Sequence, residues 1–402
     1  MGQPLNNDLS WQKKTALFLI SQNVSLFGSS VVAFTIIWYI TLETSSGLWL
    51  MLVTICSLLP QVVISLWSGV WADRYNRKHL IMLMDGLIAL ATFLLAMTFW
   101  LGVERMELLL AVSVVRSLGT GIQAPAVNAM FPQLVPQDQL TRVQGIHQTL
   151  MSIFLLLSPA VGGLMLGSLG IEWALMLDVF TALLAVVIFS FIPVEKVART
   201  FENTSVLMEM RQGVAYALNN RPVRLVLISL GFSYFLMTPA AVLTPLLIER
   251  SFAGGVWELT ANEMIWTIGS LVGGGFVSLR GQFQNKVRTA AICLLAFGVT
   301  FGLLGVARPF LVYLAIMGIA GFFLPIIITA QTVLIQENVE AALMGRVFSL
   351  VQIITSSAMP VAILLFGPLA DIVSVESILL VSGALLVLVG IWYWLTDRYF
   401  LK

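Results

Sequence analysis

The chain has 402 residues, 59% of them hydrophobic and only 10% charged, against about 25% charged in a soluble globular chain. A net charge of +1 with no block of like charges excludes a basic nucleic-acid surface and leaves a polytopic membrane protein. Cys56 and Cys293 fall inside apolar runs without metal-ligand spacing, so they read as small buried hydrophobes, with no metal site and no cofactor expected.

Met1 to Ser10 is polar, and the apolar run after it is already long enough to span, so no cleaved leader is expected. Runs near the about 20 residues that cross a bilayer number twelve, over residues 16–41, 48–71, 79–102, 107–131, 143–167, 172–193, 222–248, 259–279, 288–307, 309–330, 345–370 and 374–395. The interval from Pro193 to Pro222 is the one long polar gap, and it divides the spans six and six. The expected organisation is an N-terminal six-helix bundle over 1–193, a linker over 194–221 and a C-terminal six-helix bundle over 222–402. Within the linker, Val206, Leu207, Met210, Val214 and Leu218 recur near helical spacing, which predicts an amphipathic helix on the membrane surface.

Lys and Arg placement sets the orientation. With the N-terminus cytoplasmic, only Arg105, Arg250 and Arg308 of the 21 cations fall outside, and Arg116 falls within a span. Both termini are therefore expected in the cytoplasm.

Between the second and third spans the chain reads Gly69-Val-Trp-Ala-Asp73-Arg74-Tyr-Asn-Arg77-Lys78. Charges this dense belong at the water boundary of a short turn between two membrane helices. An internal repeat supports the six-and-six division: Gly69 and Arg74 align with Gly275 and Arg280, Gly121 and Pro125 with Gly321 and Pro325, and Pro159 with Pro360. The second copy has lost three of these charges, with Leu279, Phe283 and Ile316 where the first has Asp73, Arg77 and Arg116. Chemistry that uses those charges belongs to the N-terminal half.

The pattern Gly69, Asp73, Arg74, Arg77, Lys78 resembles the gating loop between helices two and three of the major facilitator superfamily. The resemblance implies an all-α membrane fold of twelve helices in two six-helix pseudo-repeats. In the fifth span, Ser158-Pro159-Ala-Val-Gly162-Gly163 resembles the Gly-Pro-x-x-Gly-Gly element of the antiporter branch, with Ser in place of the first Gly. Generic small-residue packing is the alternative reading. Arg116 to Gly121 resembles the family's intramembrane arginine element, and Ser21 to Gly28 and Pro132 to Leu140 read like the macrolide-efflux branch of drug and proton antiporters.

An ionisable side chain in hydrocarbon needs a partner, a watery cavity or a neutral state, so Asp85, Arg116, Asp178 and Glu263 are the proton-coupling candidates. Glu263, beside Trp266, could exchange protons or simply reach the outer interface. Asp85 could take a proton or brace the Asp73 to Lys78 loop. Asp178 could pair with Arg116, whose guanidinium stays protonated and so acts by biasing a nearby carboxylate or as a fixed ion pair. Asp371 and Glu249, at outer span ends, are expected to be solvated.

In the resemblance, substrate lies where the halves meet. Candidate liners are Asn23, Trp38, Gln61, Gln148, Tyr234, Trp266, Gln331 and Gln352, although isolated polar residues also serve interhelical hydrogen bonds. A lining of Trp, Phe and Met with few charges suits a bulky amphipathic compound better than a sugar or phosphate. The expected function is export of amphipathic drugs, macrolides being the named class, coupled to protons in a bacterial inner membrane among its lipids. Transport of an endogenous metabolite, lipid or siderophore is the alternative. A membrane enzyme or nucleotide motor is disfavoured, since there is no His-Glu-x-x-His pair and no phosphate loop, and His79 and His147 sit at span ends.

Overall fold

The computed structural model describes residues 10–193, 214–281, 283–340 and 343–396. Every regular element among them is helical: α1 (Trp11–Thr44), α2 (Gly47–Arg74), α3 (Arg77–Trp100), α4 (Met106–Leu134), a 3-10 turn, α5 (Leu140–Ser168) and α6 (Ile171–Ser190). After the helical stretch 214–219 come α7 (Arg221–Val242), α8 (Thr244–Phe252), α9 (Val256–Arg280), α10 (Lys286–Leu304), α11 (Phe310–Asn338), α12 (Met344–Leu369) and α13 (Val375–Leu395).

Eleven segments are long and apolar enough to cross a membrane, α7 and α8 together forming one of them. The remaining helix, α9, has 25 residues and so reaches about 37 Å. Glu258, Asn262, Glu263 and Arg280 lower its apolarity. Among the described residues, twelve long helical segments thus stand where twelve spans were expected, eleven of them apolar enough to cross. Of the linker expectation, residues 214–219 are helical, while Val206, Leu207 and Met210 lie outside the described residues.

Helix starts follow local chemistry. Asn76 accepts from the Lys78 amide at 3.0 Å to begin α3, Asn220 caps α7 with Pro222 in its first turn, and Asn285 caps α10. Each supplies a partner to an amide that has none inside the helix.

Both faces of most helices are apolar. On α3 the buried face carries Ile81, Met84, Ile88, Leu95 and Phe99, while Leu83, Leu87, Leu90 and Leu94 stay exposed. That outer stripe is the expected surface toward lipid.

The described residues form two compact units, one of residues 10–39 and 55–193, the other of 40–54 and the described residues from 214 to 396. In the first, α3 rests on α4 and α6; in the second, α10 rests on α11 and α13, the same positions in each six-helix series. Small residues permit close crossings: a Cβ on Gly298 would lie 2.7 Å from the Gly383 carbonyl, and one on Gly383 would lie 2.6 Å from that of Gly298, joining α10 and α13 backbone to backbone.

Candidate functional site

The first unit contains a polar file inside otherwise apolar helices. Asp178 on α6 is fully buried and pairs with the Arg116 guanidinium of α4. It also accepts from Ser29 Oγ at 3.1 Å and Thr92 Oγ1 at 3.3 Å. Arg116 in turn donates to Thr92 Oγ1 at 2.8 Å and to the Ser29 carbonyl at 3.1 Å. Four helices thus satisfy one ion pair, as a charge in hydrocarbon requires.

Asp85 on α3, 3% exposed, accepts from Ser25 Oγ at 2.7 Å and Gln123 Nε2 at 3.0 Å. Neither partner carries charge. Ser25 and Ser29 stand one turn apart on α1, so this helix links the two carboxylates through its hydroxyls. Gly28 lies between them, and a Cβ there would come 3.1 Å from the Asp178 Cα; α1 can approach α6 at this level because the side chain is missing.

Beside the pair lies a cavity of about 120 Å³ lined by Ser29, Ser57, Gln61, Ser113, Arg116 and Thr120, among others. Hydroxyl, amide and guanidinium groups there give small polar species hydrogen-bonding partners.

The structure thus brings Arg116 and Asp178 together, as one sequence reading allowed, and assigns Asp85 to Ser25 and Gln123 instead of to the loop. The loop is held otherwise. Arg77 is buried and donates to the Ala129 carbonyl at 2.9 Å, and Lys78 Nζ donates to the carbonyls of Ser190 and Ile192, each at 2.7 Å. Lys78 thus meets carbonyls at the C-terminal end of α6, where positive charge is favoured. The backbone of α2 runs through Gly69, Asp73 and Arg74, whose side chains lie outside the described residues.

In α5, Ser158 Oγ turns back to the Phe154 carbonyl at 2.6 Å one residue before Pro159. Gly162 and Gly163 are buried, and a Cβ on Gly162 would sit 3.4 Å from Thr35 Oγ1 and 3.5 Å from the Val31 carbonyl of α1. The element is a helix-packing surface whatever else it does.

The candidate liners separate. Gln61 faces the 120 Å³ cavity. Asn23 is buried, donating to the Leu19 carbonyl at 2.8 Å and lying 3.4 Å from His147 Nδ1. Trp38, 1% exposed, packs its ring against Phe34. Gln148 is exposed.

In the second unit, Gln331 donates to Ser229 Oγ at 3.3 Å, while the buried Gln331 Oε1 and Ser233 Oγ find no partner among the described residues. Trp266 meets Phe297, Tyr234 is half-buried and Gln352 is exposed, bonded to Ser356. Glu263 is half-buried and accepts from Asn262 at 3.2 Å, and Asn262 accepts from the buried Tyr313 hydroxyl at 3.0 Å.

Asp371 and Glu249 keep the solvent exposure expected of span ends and also find protein partners. Asp371 accepts from the amides of Gly47 and Leu48 at 2.7 and 2.8 Å, from Ser46 at 3.0 Å and from Arg250 at 2.9 Å. Burial pushes its carboxyl up, but these bonds outweigh burial and hold it below the ordinary carboxylate value. Glu249 accepts from Ser45 Oγ at 2.5 Å. Span-end position alone could not reveal that the first turn of α2 would deliver its free amides to Asp371.

The residues missed by sequence reasoning are Ser25, Ser29, Thr92 and Gln123. Their one signal is the i, i+4 spacing of Ser25 and Ser29 in an apolar helix. It is weak, because such hydroxyls commonly bond their own helix carbonyls, as Thr35 does here to Val31.

Residues 18–363 match the family model described as Major Facilitator Superfamily. The chain is 30% identical over 386 residues to Macrolide efflux protein A of Streptococcus pyogenes, covering 95% of each. It is 21% identical to the Staphyloferrin A transporter of Staphylococcus aureus, covering 96% of each. A POT family transporter solved in complex with 5-aminolevulinic acid superposes with a TM-score of 0.75 over 96% of each chain at 13% identity, a likeness of fold alone. With its long apolar helices in two repeated sets and a family match over most of its length, this multi-pass membrane protein belongs to the major facilitator superfamily.

Proposed function

We propose that this protein exports bulky amphipathic drugs of the macrolide kind in exchange for protons, by alternating access, across a bacterial inner membrane with both termini cytoplasmic. The observation that carries proton coupling is Asp85, a buried carboxylate whose two partners, Ser25 and Gln123, are neutral. Arg116 is already matched by Asp178, so a proton is the counter-charge left for Asp85. Once protonated, Asp85 becomes a hydrogen-bond donor and its contacts to Ser25 and Gln123 must reorganise. Ser29, one turn along α1, carries that change to Asp178 and Arg116. Proton binding and substrate binding then bias one conformational equilibrium, as linkage requires. Glu263, whose polar partner is Asn262, is the second carboxylate to test.

The drug class rests on the macrolide efflux relative. The Staphyloferrin A transporter relative supports the second reading, transport of a siderophore or other metabolite. Efflux of a radiolabelled macrolide is measured in vesicles holding a defined pH gradient, with Asp85→Asn, Glu263→Gln and the parent at matched expression. Efflux that follows the gradient and is lost in Asp85→Asn is the expected result. Efflux indifferent to a protonophore would remove proton exchange, and transport of a siderophore with no macrolide movement would establish the second reading.

A further inference from the structure

The second unit holds a cavity of about 690 Å³, within the range of small-molecule sites. It lies between α7, α12 and the helical stretch 214–219, and its walls are apolar, with Ala217, Leu227, Phe235, Leu350 and Ile354 among them. One charge borders it, Arg224 in the first turn of α7.

Arg224 Nη1 donates to the Leu218 carbonyl at 2.8 Å, which fixes the guanidinium beside the cavity. Its Nε and Nη2 make no bond to the described residues. Leu218, Ile228 and Phe232 around it are exposed at 57%, 39% and 56%, so the cavity is open at an apolar rim, and Arg224 is the one polar side chain among its described lining residues. At the end of a membrane helix, a cation stands at headgroup level with its apolar neighbours at acyl-chain level.

We infer that this cavity is a binding site for an anionic membrane phospholipid, with one acyl chain between α7 and α12 and its phosphate on Arg224. Charge decides among amphipaths. A guanidinium at the mouth repels a weakly basic drug and attracts a phosphodiester, and basic pockets between membrane helices are suited to anionic headgroups. The assignment needs no transport activity, so it stands or falls separately from the export reading.

Full-length protein in mild detergent is offered phosphatidylglycerol or phosphatidylcholine with the same acyl chains, and bound lipid is read by native mass spectrometry. Phosphatidylglycerol is retained well above phosphatidylcholine. Arg224→Gln, a change at an exposed side chain, weakens retention about fivefold, the effect of one cation at a lipid surface. Arg105→Gln, at the other end of the membrane helices, leaves it unchanged. A Cβ on Gly231 would meet only Ile354, at 3.5 Å, so Gly231→Phe projects a ring into the cavity and removes the bound lipid. Equal retention of both lipids, or unchanged retention in Arg224→Gln, overturns the assignment. Displacement of the lipid by inorganic phosphate would make this an anion site, and displacement by erythromycin in parent and Arg224→Gln alike would make it a drug site; either result also overturns it.

Discussion

The buried pair of Arg116 and Asp178 offers the sharpest perturbation, because its two members fail differently alone and together. Asp178→Leu leaves a guanidinium whose side chain is 11% exposed without its carboxylate. Breaking a buried pair on one side costs about 3–5 kcal/mol. For a bundle the size of the first unit, each kcal/mol moves Tm by about 2–4 °C, so a drop of about 6–20 °C is expected. Arg116→Leu strands Asp178 with Ser29 and Thr92 alone and falls within the same range. The double variant, with no stranded charge, recovers most of the loss, since apolar replacement of a whole buried pair is often neutral. Thermal unfolding of the three variants in detergent closes a double-mutant cycle, and macrolide efflux by the double variant separates the roles. A strictly additive double variant would refute the pairing energy. A double variant that folds like the parent and transports at full rate would reduce the pair to a fixed scaffold, against its proposed place in the proton-coupled file.

Asp371 gives a pH dependence with a definite sign. Its carboxyl is held below the ordinary value, so its contribution is fully present above about pH 4, the ordinary carboxylate value, and is lost as pH falls through the lower folded value. Asp371→Asn should cost about 1–2 kcal/mol, discounted for partial exposure, and flatten the acid limb of a Tm against pH curve; an unchanged acid limb would show that the bonds to Gly47, Leu48 and Arg250 contribute nothing. Arg77→Ala removes the bond to the Ala129 carbonyl, and it or Asp73→Asn is expected to abolish efflux while membrane insertion persists; ordinary transport by well-expressed variants would end the latch reading of the loop. Gly162→Leu must push against Thr35 and Val31, and Pro159→Ala straightens α5, so both are expected to block or uncouple efflux. Normal coupled efflux in the two would leave the element a packing surface only.

Much of this protein was legible as sequence, because a bilayer simplifies the code. Length and apolarity locate most crossings to within a few residues, as for the fifth span, expected at 143–167 and found over Leu140–Ser168, although the tenth, expected at 309–330, continues to Asn338, since hydrocarbon fixes the apolar run and not the helical extension beyond it. The repeated Gly and Pro positions announced the six-and-six fold, and the Gly69 to Lys78 decapeptide announced the family. Even α9, with Glu258, Asn262 and Glu263 near its start, was located by its apolar run over 259–279.

Tertiary structure decided which polar residues meet. Asp85 and Asp178 read alike in sequence, each a lone carboxylate in an apolar helix, yet one received Arg116 and the other only Ser25 and Gln123. Trp38, a lone aromatic in an apolar span, packs its buried ring on Phe34, and Asp371, a partly exposed span-end carboxylate, also holds the first amides of α2. The physical reason is common to all three. In a membrane helix hydrophobicity surrounds the axis, so the periodicity that tells an inward face from an outward one in water is erased, and only the packing of one helix on another fixes where a side chain points.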